Sequence, residues 1–224
     1  RDLMTGRGAV PAVHPTVAPY GSWASPISLE LITTGRAWPS YPRFDGGDAW
    51  WEESRPAEGG RQVVVRRRPD GTTTDAVPAG VNVRTMVHEY GGAAWTVDAG
   101  VLYYSDAADG RLYRARPGAP PEALTVPGAL RYADLVVDAP RRRLVCVGED
   151  HRDDGAEAVN RLVTVALGGD APVEPQVLVG GADFYAAPAL SPDGRRLAWL
   201  SWGHPDMPWD GTTLWVGTLG TDGR

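Results

Sequence analysis

The 224-residue chain contains no lysine, one cysteine, two phenylalanines and no apolar run near the length of a membrane helix. A lone cysteine, Cys146, cannot close an internal disulfide, so nothing favours an oxidising compartment and a cytoplasmic setting is expected. A membrane helix needs roughly 18 to 20 consecutive apolar residues, and no such run exists here. All 22 basic residues are arginines scattered across apparent strands, and 28 acidic residues leave a formal charge of −6. That balance opposes the electrostatic footprint of a nucleic-acid binder, so neither nucleic acid nor membrane is an expected partner. Motifs of chemistry are equally scarce. There is no G-x-S-x-G nucleophile elbow, no P-loop and no G-x-G-x-x-G. His88-Glu89 begins like a zincin helix, but the second histidine is missing and Gly91-Gly92 would break the helix. The expectation is therefore no catalytic residue in this chain, no metal and no cofactor.

What is abundant is turn chemistry. Twenty-eight glycines and twenty prolines make a helical bundle untenable and point to a mostly-β chain. Residues 1–24 show neither helical nor strand period and read as an extended arm. SPISLELITTG supplies one short helix near 26–34, with Ser25 as cap, Pro26 in the first turn and Gly35 as stop. From about residue 41, short β-branched and aromatic runs repeat. RQVVVRR, RLYRARP, RLVTVAL and TLWVGTL begin at Arg61, Arg111, Arg161 and Thr213, each preceded by a partner strand that ends in small or acidic residues. Four antiparallel strands per roughly 50 residues is the signature of β-propeller blades, because a lone four-stranded sheet must bury both faces against like neighbours. The blades are expected at 41–80, 91–127, 131–180 and 184–224. The last stops before its fourth strand. The favoured reading is a partial ring of a larger propeller; a closed four-bladed ring completed by the arm is the alternative.

Most of the nine tryptophans fall in or beside repeat strands, where large rings fill the space between blades. Trp209 differs, since it sits in the loop HPDMPWDGT among residues that cannot form a strand. Three segments, APYGSWASPISLEL, VRTMVHEYGGAAW and SPDGRRLAWLSWGHPDMPWDGTTLWV, resemble the front of the prolyl oligopeptidase family of serine peptidases. The nearest branch is the bacterial dipeptidyl aminopeptidase and acylaminoacyl-peptidase type. The resemblance implies an N-terminal propeller, here residues 41–224 after an arm of 1–40, that caps an α/β-hydrolase domain bearing the catalytic Ser, Asp and His. None of the three matches a residue here, so the implied partner is the α/β-hydrolase domain of the same full-length protein, and the implied substrates are short peptides. The chain would then be the gating and substrate-access propeller, inactive alone. A free-standing propeller used as a protein-interaction scaffold is the alternative from another class.

Within a blade, loops between strands two and three emerge on the same face as links from strand four to the next blade. His88, Glu89 and Tyr90 lie in one such link and Tyr185 in another, whereas Asp206, Trp209 and Asp210 lie in a two-to-three loop. These seven are the substrate-facing candidates, able to hold a peptide's amino group and side chains. A second reading stays open, in which Glu89 and Asp210 only bond backbone amides and hold the loops.

Overall fold

A computed structural model describes residues 17–33, 37–153, 157–169, 171–220 and 223. Residues 1–16 of the expected arm, and the expected helix stop Gly35, lie outside the described residues. The chain divides into two units, Arg1–Gly35 and Arg36–Arg224. In the first, helix α1 spans only Leu29–Thr33. It begins later than expected because Ser28, not Ser25, is its cap: Ser28 Oγ accepts the Leu31 N–H at 3.0 Å, while Ser25 Oγ serves only Ile27.

The second unit is four antiparallel sheets arranged as propeller blades. Blade one is β1 (Trp38–Asp45), β2 (Asp48–Arg55), β3 (Arg61–Arg67) and β4 (Thr73–Asp75). Blade two is β5 (Trp95–Asp98), β6 (Val101–Ser105), β7 (Leu112–Ala115) and β8 (Glu122–Ala123). Blade three is β9 (Leu130–Asp138), β10 (Arg143–Asp150), β11 (Val159–Ala166) and β12 (Gln176–Val179). Blade four has three strands among the described residues, β13 (Phe184–Leu190), β14 (Arg196–Trp202) and β15 (Thr213–Thr218). Every neighbouring pair is consecutive in sequence, so each blade is a plain meander. Among the described residues no helix is long and apolar enough to cross a membrane.

Side-chain alternation explains why the central strands are apolar on both faces. In β10, Leu144 and Cys146 pack toward blade two, with Tyr103, Leu112 and Tyr132. The intervening Val145 and Val147 pack toward blade four, with Leu162, Tyr185 and Leu197. The same alternation in β6 sends Leu102 and Tyr104 toward blade one and Tyr103 toward blade three. Each such side chain contributes roughly 1.5–3 kcal/mol by leaving water, and no blade could supply that alone.

The innermost strands carry a repeated irregularity. Tyr41, Asp134 and Ala187, in β1, β9 and β13, all have positive φ (49, 56 and 50°), and the ladder register shifts beside each. At Asp134 the bulge joins three blades. Its N–H donates to Ala93 O at 2.8 Å, and its carboxylate accepts the Ala93 N–H at 3.1 Å and the Ala187 N–H at 2.8 Å. The approach is close enough that a Cβ on Gly92 would lie 3.0 Å from the Ala133 Cβ, so any larger residue there would force the inner strand of blade three to give way.

Candidate functional site

Links between blades and loops between second and third strands come together on one face of the second unit. Between blades three and four they enclose a pocket of about 480 Å³ that includes His88, Glu89, Glu149, His151, Glu157, Asn160, Asp183, Phe184 and His204. Glu149, near the end of β10, is buried and forms its wall. Its Oε2 accepts the His88 N–H at 2.6 Å, and its Oε1 lies 2.5 Å from His151 Nε2 and 3.4 Å from Arg131 Nη1. Asn160 sits directly opposite Glu149 in the β10–β11 register and is 3% exposed. Its Nδ2 donates to Asp183 O at 2.9 Å, and its side chain also bonds the His88 side chain. Asp183 accepts the His204 N–H at 2.9 Å, and this bond holds its carboxyl below the usual carboxylate range.

The His88 ring is the hinge of a second, aromatic pocket of about 230 Å³. Its centroid lies 5.7 Å from Tyr90 and 5.4 Å from both Phe184 and Trp202; Phe184 stacks on Trp202 at 5.4 Å and approaches His204 at 4.8 Å. Burial lowers the His88 pKa, against the opposing pulls of Glu149, Asp134 and a side-chain hydrogen bond with Asn160. His88, Phe184 and His204 line both pockets, which places carboxylates and aromatic rings side by side. Such a surface can hold an ammonium group beside an apolar or aromatic one.

The one thiol, Cys146, is wholly buried and its pKa is pushed up by that burial, the reverse of an activated nucleophile. Among the described residues no three or more His, Cys, Asp or Glu are placed to hold a metal ion.

The candidates picked from sequence are distributed unevenly. His88, Tyr90 and Asp206 meet at the aromatic pocket, and Glu89 lines the acidic one, bonded to Arg131 at 3.0 Å. Asp210 accepts the Met207 N–H at 3.1 Å within its own loop, and Trp209 is 76% exposed; neither lines these two pockets. Tyr185 lies apart from both pockets. It is 2% exposed in the core between blades three and four, and its hydroxyl accepts the Ala182 N–H at 2.8 Å. Strand alternation presents Phe184 to the pockets instead. Sequence reasoning missed Glu149, His151, Glu157 and Asn160. The available signal was the acidic end of RLVCVGED, which falls on the same face as the loop that follows it.

No protein-family model and no curated protein matches the chain. Solved structures do. A puromycin hydrolase is 38% identical over 94% of this chain with a TM-score of 0.82, and a puromycin-hydrolyzing peptidase of Mycobacterium tuberculosis is 40% identical over 94% with a TM-score of 0.81. An acylaminoacyl peptidase of Pyrococcus horikoshii, at 10% identity and a TM-score of 0.57, shares the fold alone. The chain spans 34% of the length of each of the first two. Three sequence segments, the blade repeat and these likenesses agree: the chain belongs to the prolyl oligopeptidase family and corresponds to the N-terminal propeller portion of those relatives.

Proposed function

We propose that this propeller controls substrate access to a serine peptidase domain carried by the same full-length polypeptide, and that its acidic and aromatic face receives the free amino end of a short peptide. The carrying observation is the acidic pocket itself, where Glu149, Asp183 and Glu157 stand beside the ring cluster of His88 and Phe184. An ammonium group is the complement of that set: three hydrogen-bond donors and one positive charge. The likeness to puromycin-hydrolysing peptidases supports a peptidase rather than a free-standing scaffold.

The test uses the full-length polypeptide. It should hydrolyse short peptides with a free amine, lose that activity to a serine-directed phosphonate, and show a KM raised about tenfold or more in the double variant Asp183→Asn, Glu157→Gln, with an unchanged melting temperature. Peptidase activity with the same KM in wild type and variant, or equal turnover of N-acetylated substrates, would remove the amino-group role. Absence of hydrolysis altogether would remove the peptidase reading.

A further inference from the structure

The same face carries another cavity, of about 390 Å³, between blades two and three. Its wall toward the acidic pocket is shared. His151 lines both, and across the wall Arg131 faces this cavity while its ion-pair partner Glu149, 3.4 Å away, faces the other. The sign of the charge therefore reverses over one residue pair.

Three features make this second cavity an anion-receiving one. Ser105, the last residue of β6, is 1% exposed and lines it, and its Oγ has no hydrogen-bond partner among the described residues. Arg84 also lines it, and its guanidinium pairs with no carboxylate among the described residues; its backbone N–H donates to Ser105 O at 3.2 Å, which fixes the two residues side by side. The one acidic side chain in the lining, Asp109, is already engaged. Its Oδ1 accepts the Arg111 N–H at 3.0 Å and its Oδ2 the Tyr113 hydroxyl at 2.6 Å. Ala107, Gly110, Gly128 and Ala129 contribute no large side chain to its lining.

We infer that this cavity is a subsite for a carboxylate, bound by the Arg84 guanidinium and the Ser105 hydroxyl. A guanidinium and a hydroxyl present donors to both carboxylate oxygens, and the buried hydroxyl gains the partner it lacks. With an ammonium pocket on one side of the Arg131–Glu149 wall and a carboxylate pocket on the other, the face matches a short zwitterionic peptide lying across blade three. This extension rests on the peptide reading above only for the source of the carboxylate.

The experiment removes the amine so that the two readings separate. Calorimetric titration of the full-length polypeptide compares N-acetylglycylglycine with N-acetylglycylglycinamide, which differ only in the terminal carboxylate. The acid should bind about tenfold tighter or better, and Arg84→Gln and Ser105→Ala should each erase the preference while leaving the melting temperature within about 2 °C. Arg84→Lys should keep part of it. Equal binding of acid and amide, binding of neither, or a preference that survives in both variants would overturn the inference. A preserved acid preference in a polypeptide that cleaves no peptide would retain the subsite and overturn only the peptidase reading.

Discussion

Blades three and four are built from the same repeat, yet the central strands of one are buried and the last described strand of the other is open. In β10, six consecutive residues from Leu144 to Glu149 are buried; in β15, Leu214, Trp215 and Val216 are 68, 50 and 63% exposed. Propensity does not separate them, since both strands carry β-branched and aliphatic residues. Neighbours do. Blade three is packed on both faces, by the cluster it shares with blade two and the cluster it shares with blade four, whereas the outer strand of blade four has β14 along one edge. Blade one shows the same exposure on its innermost strand, where Trp38 and Phe44 are open. An apolar side chain in this fold stabilises only through what lies against it, so identical sequence patterns carry different energies along the chain.

The largest expected effect tests that comparison directly. Leu144→Ala, at a fully buried site between blades two and three, should lower the stability of this chain by about 2–5 kcal/mol, while Leu214→Ala should cost less than about 0.5 kcal/mol. Urea titrations of both variants measure the difference. In the full-length polypeptide the cost of Leu214→Ala should rise toward the core value if further chain packs on β15; an unchanged small cost there would show that the face stays open.

A second contrast concerns buried carboxylates. Glu149 in blade three contacts His88, His151 and Arg131, but Glu52 in blade one has a 3.4 Å bond from the Ser40 hydroxyl and a side-chain bond from Trp95, with no cation among these partners. Burial accordingly raises the Glu52 carboxyl from 4.5 to about 7. With the folded pKa above the unfolded one, the native state binds the extra proton between these values. The stabilising contribution is complete below about pH 4.5 and is lost as pH rises to about 7, amounting to at most about 3 kcal/mol. Glu52→Gln should therefore stabilise the chain most at pH 8 and flatten this part of its pH profile. Melting curves at pH 5 and 8 decide it; an equal shift at both would mean that Glu52 does not titrate in this window.

The blade repeat was legible because it is local: period-two alternation, hairpin turns such as Ala99-Gly100 and a step near 50 residues are all visible in a linear reading. The inner-strand bulges were not, because Tyr41 and Ala187 have no intrinsic preference for positive φ, and the bond that holds Ala187, to Asp134, comes from another blade. The site was half legible for the same reason. His88 and Tyr90 stood out as odd residues in a link, but Glu149 reaches His88 across 61 positions and reads, in its own strand, as an ordinary terminal charge.

The smallest expected effect separates two aromatic residues that the sequence placed on the same face. Tyr185→Phe removes one hydroxyl from the core and leaves the Ala182 N–H without its acceptor, which should cost about 1–2 kcal/mol of stability. Because Tyr185 lines neither pocket, KM of the full-length polypeptide for peptides should stay unchanged. Trp209→Ala removes a larger group, but one that is 76% exposed on a loop already held by the Asp210 bond to Met207, so stability should move by less than about 0.5 kcal/mol. Any change in KM then reports contact between the indole and what the full-length polypeptide binds. If Tyr185→Phe instead raised KM with no loss of stability, the assignment of Phe184 rather than Tyr185 to the pockets would be wrong, and with it the strand register at the start of blade four.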